Sequence, residues 1–200
     1  MRQLLSDLLF TQPGLSAYAV VDGASMEDLL DHLDGLQPEH VCLYRGELKP
    51  GVEVVAPYLV RLEPNSPFLG WLLDCGWGHH FGVFVLTDQP MGPLRLQLRR
   101  HLRVTMEDGS TKLFRYYDPR VLRVFLPILL PGELPGFFGP ITRFLCEGKS
   151  AYAIESFRLR DNCLLHETIT AGPLWDSVRG RAGAVLTHTP YAWSVASVST

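Results

Sequence analysis

The sequence predicts an α/β (α+β) fold, with a mixed β-sheet flanked by helices. Three observations lead to this prediction. Apolar runs of strand length alternate with segments of helical periodicity up to residue 100. An Asp-Gly pair between two alternating segments then predicts a β-hairpin at 101–116. A helix and two further strand-like runs follow, an order typical of helices packed on a sheet.

The elements before the hairpin are short and separated by turn residues. Ser66 followed by Pro67 predicts a helix start, because proline is favoured at the first helical position. The segment 93–102 predicts a helix with several arginines on its outer face. The other elements predicted here are a helix within 1–12, a helix after Ser25, and strands at 17–21, 41–44, 58–62 and 81–86.

The hairpin is the clearest local pattern. Two alternating segments, 101–106 and 111–116, flank Asp108-Gly109. A two-residue turn at this pair would place Arg103 opposite Phe114, close enough for a cation–π contact. A three-residue loop would shift this pairing, so the register depends on the turn.

The segment after the hairpin predicts a buried helix and then a boundary. Asp118 is a good N-cap and Pro119 fits the first helical position. The following helix, 120–126, is apolar nearly all round, which predicts burial. The Gly- and Pro-rich stretch 131–140 predicts a rigid connection. Strand-like runs follow at 141–146 and 152–159, and the last 30 residues show weak periodicity. This organisation predicts a main domain at 1–145 and a smaller C-terminal lobe or partly ordered tail at 146–200.

Composition excludes several classes of protein. The chain has 200 residues, of which 46% are hydrophobic and 20% charged, with a formal net charge of −3. It is too apolar for a disordered chain and lacks the overall positive charge typical of nucleic-acid binding. The longest apolar stretch, 121–130, is far below the ~20 residues of a membrane span. With no signal-peptide cleavage site, these features predict a cytoplasmic protein with no nucleic-acid or membrane partner.

Motifs that would indicate catalysis or a cofactor are incomplete. Gly148-Lys149-Ser150 lacks the earlier glycine of a phosphate-binding loop, since Arg143 stands there. His79 and His80 are adjacent, so on a strand they would point to opposite faces and could not easily share a metal ion. We therefore expect no cofactor and no metal site. The cysteines are widely spaced and predict reduced thiols rather than a zinc ribbon: Cys42, Cys75, Cys146 and Cys163.

The polar residues around the hairpin allow two interpretations. A hydrolase could use Asp118 with His101. Alternatively, Asp118 caps the helix while the nearby arginines satisfy backbone carbonyls or pair with Asp118. The second interpretation is favoured, because one carboxylate without a matched base or nucleophile is a poor catalyst. The residues in question are His101, Arg103, Arg115, Asp118, Arg120 and Arg123.

The same segment resembles a known family. Its ordered blocks are similar to those of the type VI secretion effector adaptors, also called effector chaperones, and the similarity covers about residues 16–145. The Arg-x-Tyr-Asp-Pro-Arg block is the most specific. The similar blocks are 17–24, Leu43-Tyr44-x-Gly46, 56–60, 71–73, Gly78, 101–103, Asp108-Gly109, 114–122 and 138–141.

This resemblance implies a non-catalytic bacterial protein of the cytoplasm. Such adaptors bind one cognate toxic effector and help load it onto the valine–glycine-repeat spike trimer, so both are implied partners. The chain's basic residues are mostly arginine, 15 of 18, which protein interfaces favour over lysine. The family's signature residues are interpreted as a structural framework: His101, Arg103, Arg115, Tyr117, Asp118, Pro119, Arg120, Gly139 and Pro140.

Overall fold

An eight-stranded β-sheet organises the molecule, and the predicted combination of helices and sheet is confirmed. The structure is a computed structural model that describes residues 1–171 and 186–188. The α-helices are α1 Arg2–Phe10, α2 Leu29–Leu36, α3 Pro67–Trp71, α4 Met91–Arg100, α5 Pro119–Phe125 and α6 Leu134–Phe138. The strands are β1 Ser16–Asp22, β2 His40–Cys42, β3 Pro57–Leu62, β4 Gly82–Thr87, β5 Arg103–Thr105, β6 Thr111–Leu113, β7 Ile141–Glu147, β8 Ala153–Arg160, β9 Cys163–Thr170 and β10 Leu186–His188.

The sheet differs from the expected mixed sheet in its strand directions. Its order is β10-β9-β8-β7-β4-β1-β3-β2, and every pairing that the structure describes is antiparallel. Strands β7, β8 and β9 follow one another through short turns, which only antiparallel neighbours allow. In the other half, β1 pairs with β3 on one side and with β4 on the other.

Helices cover both faces of the central strands. Along β1, Ala19 and Val21 face one core while Tyr18 and Val20 face the other. Helices α1 to α3 supply buried side chains to the first core, and α4 to α6 supply them to the second. Burial on both faces explains why these strands are almost continuously apolar in sequence.

The hairpin forms, but with a register one residue away from the two-residue-turn prediction. Strand β5 pairs with β6 so that Arg103 lies opposite Leu113, not Phe114. The Met106 amide donates to the Ser110 carbonyl at 2.8 Å, and Gly109 adopts φ +78°. This is a three-residue loop, whose left-handed position favours glycine. The predicted Arg103–Phe114 pair is therefore wrong, and the Phe114 ring packs against Phe125 instead, with a centroid distance of 4.6 Å.

Helix α5 begins as predicted but is not buried all round. Leu122 and Leu126 face the core, whereas Val124 is 65% exposed and Ile128, just beyond the helix, is 71% exposed. A helix lying on one face of a sheet can bury only one of its own faces. Sequence hydrophobicity therefore overestimated the burial of this helix.

The segment 131–140 is not a plain connection. It contains α6, whose Phe137 and Phe138 are buried in the second core. The predicted boundary between residues 145 and 146 falls inside β7, and β8 and β9 extend the same sheet. Of the predicted C-terminal tail, residues 172–185 and 189–200 lie outside the described part of the chain.

Candidate functional site

Asp118 caps the N-terminus of α5 and is paired with Arg120 in the first turn of that helix. Its Oδ1 accepts a hydrogen bond from the Arg120 backbone amide at 2.9 Å, and its Oδ2 accepts one from Arg120 Nη2 at 2.7 Å. Pro119 lies buried at the first helical position. Burial opposes ionisation of the carboxyl, but the hydrogen bonds from Arg120 outweigh it and hold the pKa of Asp118 below its ordinary value. Asp118 is thus an ionised cap with its acceptors engaged.

Arg115 ties the end of the hairpin to the central strand of the sheet. Its Nη2 forms an ion pair with Oδ2 of Asp22, a carboxylate only 1% exposed at the end of β1. Asp22 also accepts hydrogen bonds from the Ala24 amide at 3.2 Å and the Ser25 hydroxyl at 2.9 Å. Burial alone would lower the pKa of Arg115, but the charge of Asp22 and the hydrogen bond to it, together with the nearby Tyr117 and Asp118, raise that pKa. We call Asp22, Arg115 and residues 117–120 the hairpin-exit framework.

Tyr116 and Tyr117 place this framework against the second core. Both are buried, and the Tyr116 hydroxyl donates to the Leu98 carbonyl at 3.0 Å. Burial raises the pKa of Tyr117, so its hydroxyl stays protonated. Both tyrosines therefore pack as buried aromatic side chains. The hydroxyl of Tyr116 is hydrogen-bonded, and the hydroxyl of Tyr117 is protonated.

His101, Gly139 and Pro140 belong to a second structural unit around α6. The His101 ring stacks on Phe137 with centroids 4.5 Å apart, and burial lowers the pKa of His101. Gly139 adopts φ +53°, and a Cβ there would lie 2.5 Å from Cδ of Gln97. The Pro140 carbonyl accepts a hydrogen bond from the Thr87 hydroxyl at 2.8 Å. These contacts fix the turn between α6 and β7.

Two of the residues in these units escaped the sequence analysis. Gln97 donates from its side-chain amide to the carbonyls of Gly136 and Phe137, at 2.8 and 3.1 Å. Asp22 precedes Gly23, and an Asp-Gly pair by itself indicates only a turn. The signal for Gln97 is a polar residue on the inner face of α4, and for Asp22 it is a carboxylate at the end of an otherwise apolar strand.

Arg123 has the role that the structural interpretation expected of the arginines. Its Nη1 donates to the Gly148 carbonyl at 2.7 Å, which joins α5 to the turn after β7. Arg120 instead forms an ion pair with the side chain of Asp118. Both arginines are therefore engaged with groups of this chain.

The pair required by the hydrolase hypothesis does not form. Asp118 is engaged by Arg120, while His101 packs against Phe137 and lies 3.1 Å from the Gln97 amide. In residues 1–171, no hydrogen bond or ion pair joins His101 to Asp118. The same described residues hold no group of three or more His, Cys, Asp or Glu side chains placed to share a metal ion.

Arg103 stands apart from both structural units, and it lines a wide groove on the surface. This groove has a volume of about 970 Å³ and lies between the loop after β2, the end of α4 and the β5–β6 hairpin. Leu43, Leu48, Leu102 and Leu113 form apolar parts of its lining. We call it the basic groove, because its lining carries six basic side chains: Arg45, Lys49, Arg99, Arg100, Arg103 and Lys112.

The charges of the basic groove are not balanced by this chain. Glu47 is the one carboxylate in its lining. Within residues 1–171, none of the six cations forms an ion pair. Behind the rim, Nε of Arg99 and Nε of its neighbour Arg95 are buried without a hydrogen-bond partner. Burial, followed by the charges of Arg95 and Arg45, lowers the pKa of Arg99.

The helices offer no membrane-spanning segment among the described residues: none combines the length and the apolar character that crossing a bilayer requires.

Comparison with known proteins identifies one family. The model of the family described as "Domain of unknown function (DUF4123)" matches residues 17–135, more than half of the chain. No curated protein and no solved structure matches. The matched segment runs from β1 to the start of α6, so it includes the hairpin-exit framework and the whole lining of the basic groove. The chain therefore belongs to the DUF4123 family.

Proposed function

We propose that this protein is a non-catalytic adaptor, or chaperone, in the bacterial cytoplasm. It binds a cognate type VI secretion effector and helps load it onto the valine–glycine-repeat spike for delivery. The observation that carries the proposal is the family match over residues 17–135, which coincides with the ordered blocks that resemble effector adaptors.

The side-chain geometry supports a binding role over a hydrolytic one. The carboxylate and the histidine of the hypothetical hydrolase, Asp118 and His101, are engaged in separate structural units. A catalytic pair has to meet at hydrogen-bonding distance of a reacting group. By contrast, the six cations that line the basic groove form no ion pair within residues 1–171.

Deletion of the gene tests the proposal in the strain that carries it. Loss of the adaptor is expected to abolish delivery of one toxin to neighbouring cells, while secretion of the spike protein itself continues. The purified adaptor should form a stable complex with the product of a neighbouring toxin gene. A Glu107→Gln variant, altered at an exposed hairpin carboxylate, should restore delivery as the wild-type gene does.

Two results would overturn the adaptor function. One is undiminished toxin delivery by the deletion strain. The other is a purified protein that forms no complex with any product of the neighbouring genes, under conditions in which its unfolding transition is cooperative.

A further inference from the structure

We propose that the basic groove is the docking site for an acidic segment of a protein client, a segment rich in Asp and Glu that also carries apolar side chains. The identity of the client, an effector, rests on the proposed adaptor function. The chemistry of the occupant rests on the groove itself.

The first argument is charge. Six cations and one carboxylate line the groove, although the whole chain has a net charge of −3. Surface arginines normally find carboxylates nearby, as Arg120 and Arg61 do here. Keeping like charges together without a counterion costs free energy in the unbound protein. An acidic occupant would remove that cost and steer the encounter between the partners.

The second argument is the unsatisfied arginine donors. Nε of Arg95 and Nε of Arg99 are buried and unpaired, and the pKa of Arg99 is lowered by burial and by the neighbouring arginines. A buried donor without an acceptor is unfavourable in a folded protein. Arginine offers a planar set of donors that matches a carboxylate in bidentate geometry. Asp and Glu side chains of a client would pair with the guanidinium of Arg99, the one of these two arginines that lines the groove.

The third argument separates a protein segment from other anionic occupants. Leu113, which is 50% exposed, and the half-buried Leu48 line the groove beside the cations, whereas its aromatic lining consists of Tyr44. Single-stranded nucleic acids need several aromatic side chains for base stacking. An acidic segment with apolar side chains fits both the charges and the leucines.

A pair of charge reversals on the hairpin tests this site. Arg103 and Lys112 are exposed, line the groove and make no side-chain hydrogen bond within the described chain. Arg103→Glu with Lys112→Glu should therefore leave the fold intact. The matched control is Lys149→Glu with Arg160→Glu, which changes the net charge equally at exposed positions outside the groove lining. Thermal unfolding of both variants checks the fold.

The probe is a short fluorescein-labelled peptide of interspersed glutamates and leucines, titrated into the full-length proteins. We expect binding to the wild type that weakens with added salt, and a loss of about tenfold or more in the groove variant. The control variant should bind as the wild type does. No peptide binding, or equal binding by the groove and control variants, would overturn the proposal. Tighter binding of a DNA duplex or of phosphatidylserine vesicles at the groove would also overturn it.

Complex formation with the effector separates this proposal from the adaptor function. If the wild type and the groove variant bind the effector equally tightly, the docking site is wrong and the adaptor function stands. If no effector binds the wild type, the adaptor function fails, and the peptide titration still decides the chemistry of the groove. A weaker effector complex in the groove variant alone would support both.

Discussion

Two neighbouring regions of this protein use arginine in opposite ways. In the hairpin-exit framework, Arg115 is paired with the buried Asp22 and Arg120 with the capping Asp118. In the basic groove, a few residues away on the hairpin and at the end of α4, no arginine has a carboxylate partner within residues 1–171. In the first region, the ion pairs hold the end of the hairpin to the sheet. The second leaves its charges free to pair with a partner. Substitutions in the framework should therefore mainly lower stability, and substitutions in the groove should mainly weaken binding.

The largest expected effect in the framework is the loss of Arg115. Arg115→Met should lower the free energy of unfolding by about 3 kcal/mol, because the buried Asp22 carboxylate would lose the cation with which it is paired. Urea denaturation measures this loss. Adding Asp22→Asn should recover part of it, since the unpaired charge is then removed. A loss below about 1 kcal/mol would show that water replaces Arg115 and that the pair is not structural.

The turn after α6 should be the next most sensitive position. Gly139→Ala should destabilise the protein by about 2 kcal/mol, since φ is +53° and a Cβ would meet the side chain of Gln97, itself fixed by two carbonyls. Gly136→Ala is the matched control within α6, where a Cβ would meet nothing within 4 Å. Equal unfolding midpoints for the two variants would contradict the structural role assigned to Gly139 in the turn after α6.

The Asp118 cap should give a smaller effect that depends on pH. Asp118→Asn should cost about 1 kcal/mol at neutral pH, a typical value for a helix cap held by charge. The pKa of Asp118 is lowered in the folded protein, so its contribution is fully present above its unfolded value of 3.8 and disappears as the pH falls through the lower folded value. Urea denaturation of wild type and variant at neutral pH and well below 3.8 should show the difference shrinking. A difference that is constant with pH would mean that the cap acts without its charge.

The smallest stability change is expected in the basic groove, with the opposite sign. Arg99→Gln should leave the free energy of unfolding unchanged or raise it by at most about 0.5 kcal/mol, because it removes a cation that repels its neighbours and has no acid partner. The same variant should bind the acidic peptide more weakly. A clear loss of stability would show that Arg99 stabilises the fold, as the framework arginines do, and would contradict the contrast between the two regions.

Features that depend on neighbours along the chain could be predicted from sequence. Asp118 with Pro119 predicts the start of α5, and Ser66 with Pro67 predicts the start of α3. A capping side chain accepts from a backbone amide only two or three residues further along the chain. The strands at β1, β3 and β4 follow from apolar runs bounded by turn residues. The structural role of the arginines beside the hairpin was also the favoured interpretation, and Arg120 and Arg123 fulfil it.

Features that depend on contacts distant in sequence were not predictable in this way. The hairpin register follows from a three-residue loop and from Phe114 packing on Phe125, not from the Asp-Gly pair alone. The exposed side of α5 depends on the fact that the sheet covers only its other side. The position near residue 145, where a domain is expected to end, lies inside β7, and β7, β8 and β9 join one sheet through backbone hydrogen bonds.

By itself, the sequence determined the class of fold, most of the strands and helix starts, and a resemblance to a family that the match over residues 17–135 then supports. Only the tertiary structure decided where charge is paired and where it is left free. The framework joins Asp22 to Arg115 across the chain, and the groove collects its cations from the loop after β2, the end of α4 and the hairpin. The physical reason is that Coulomb interaction acts through space, so the sign of a surface depends on which segments the fold brings together.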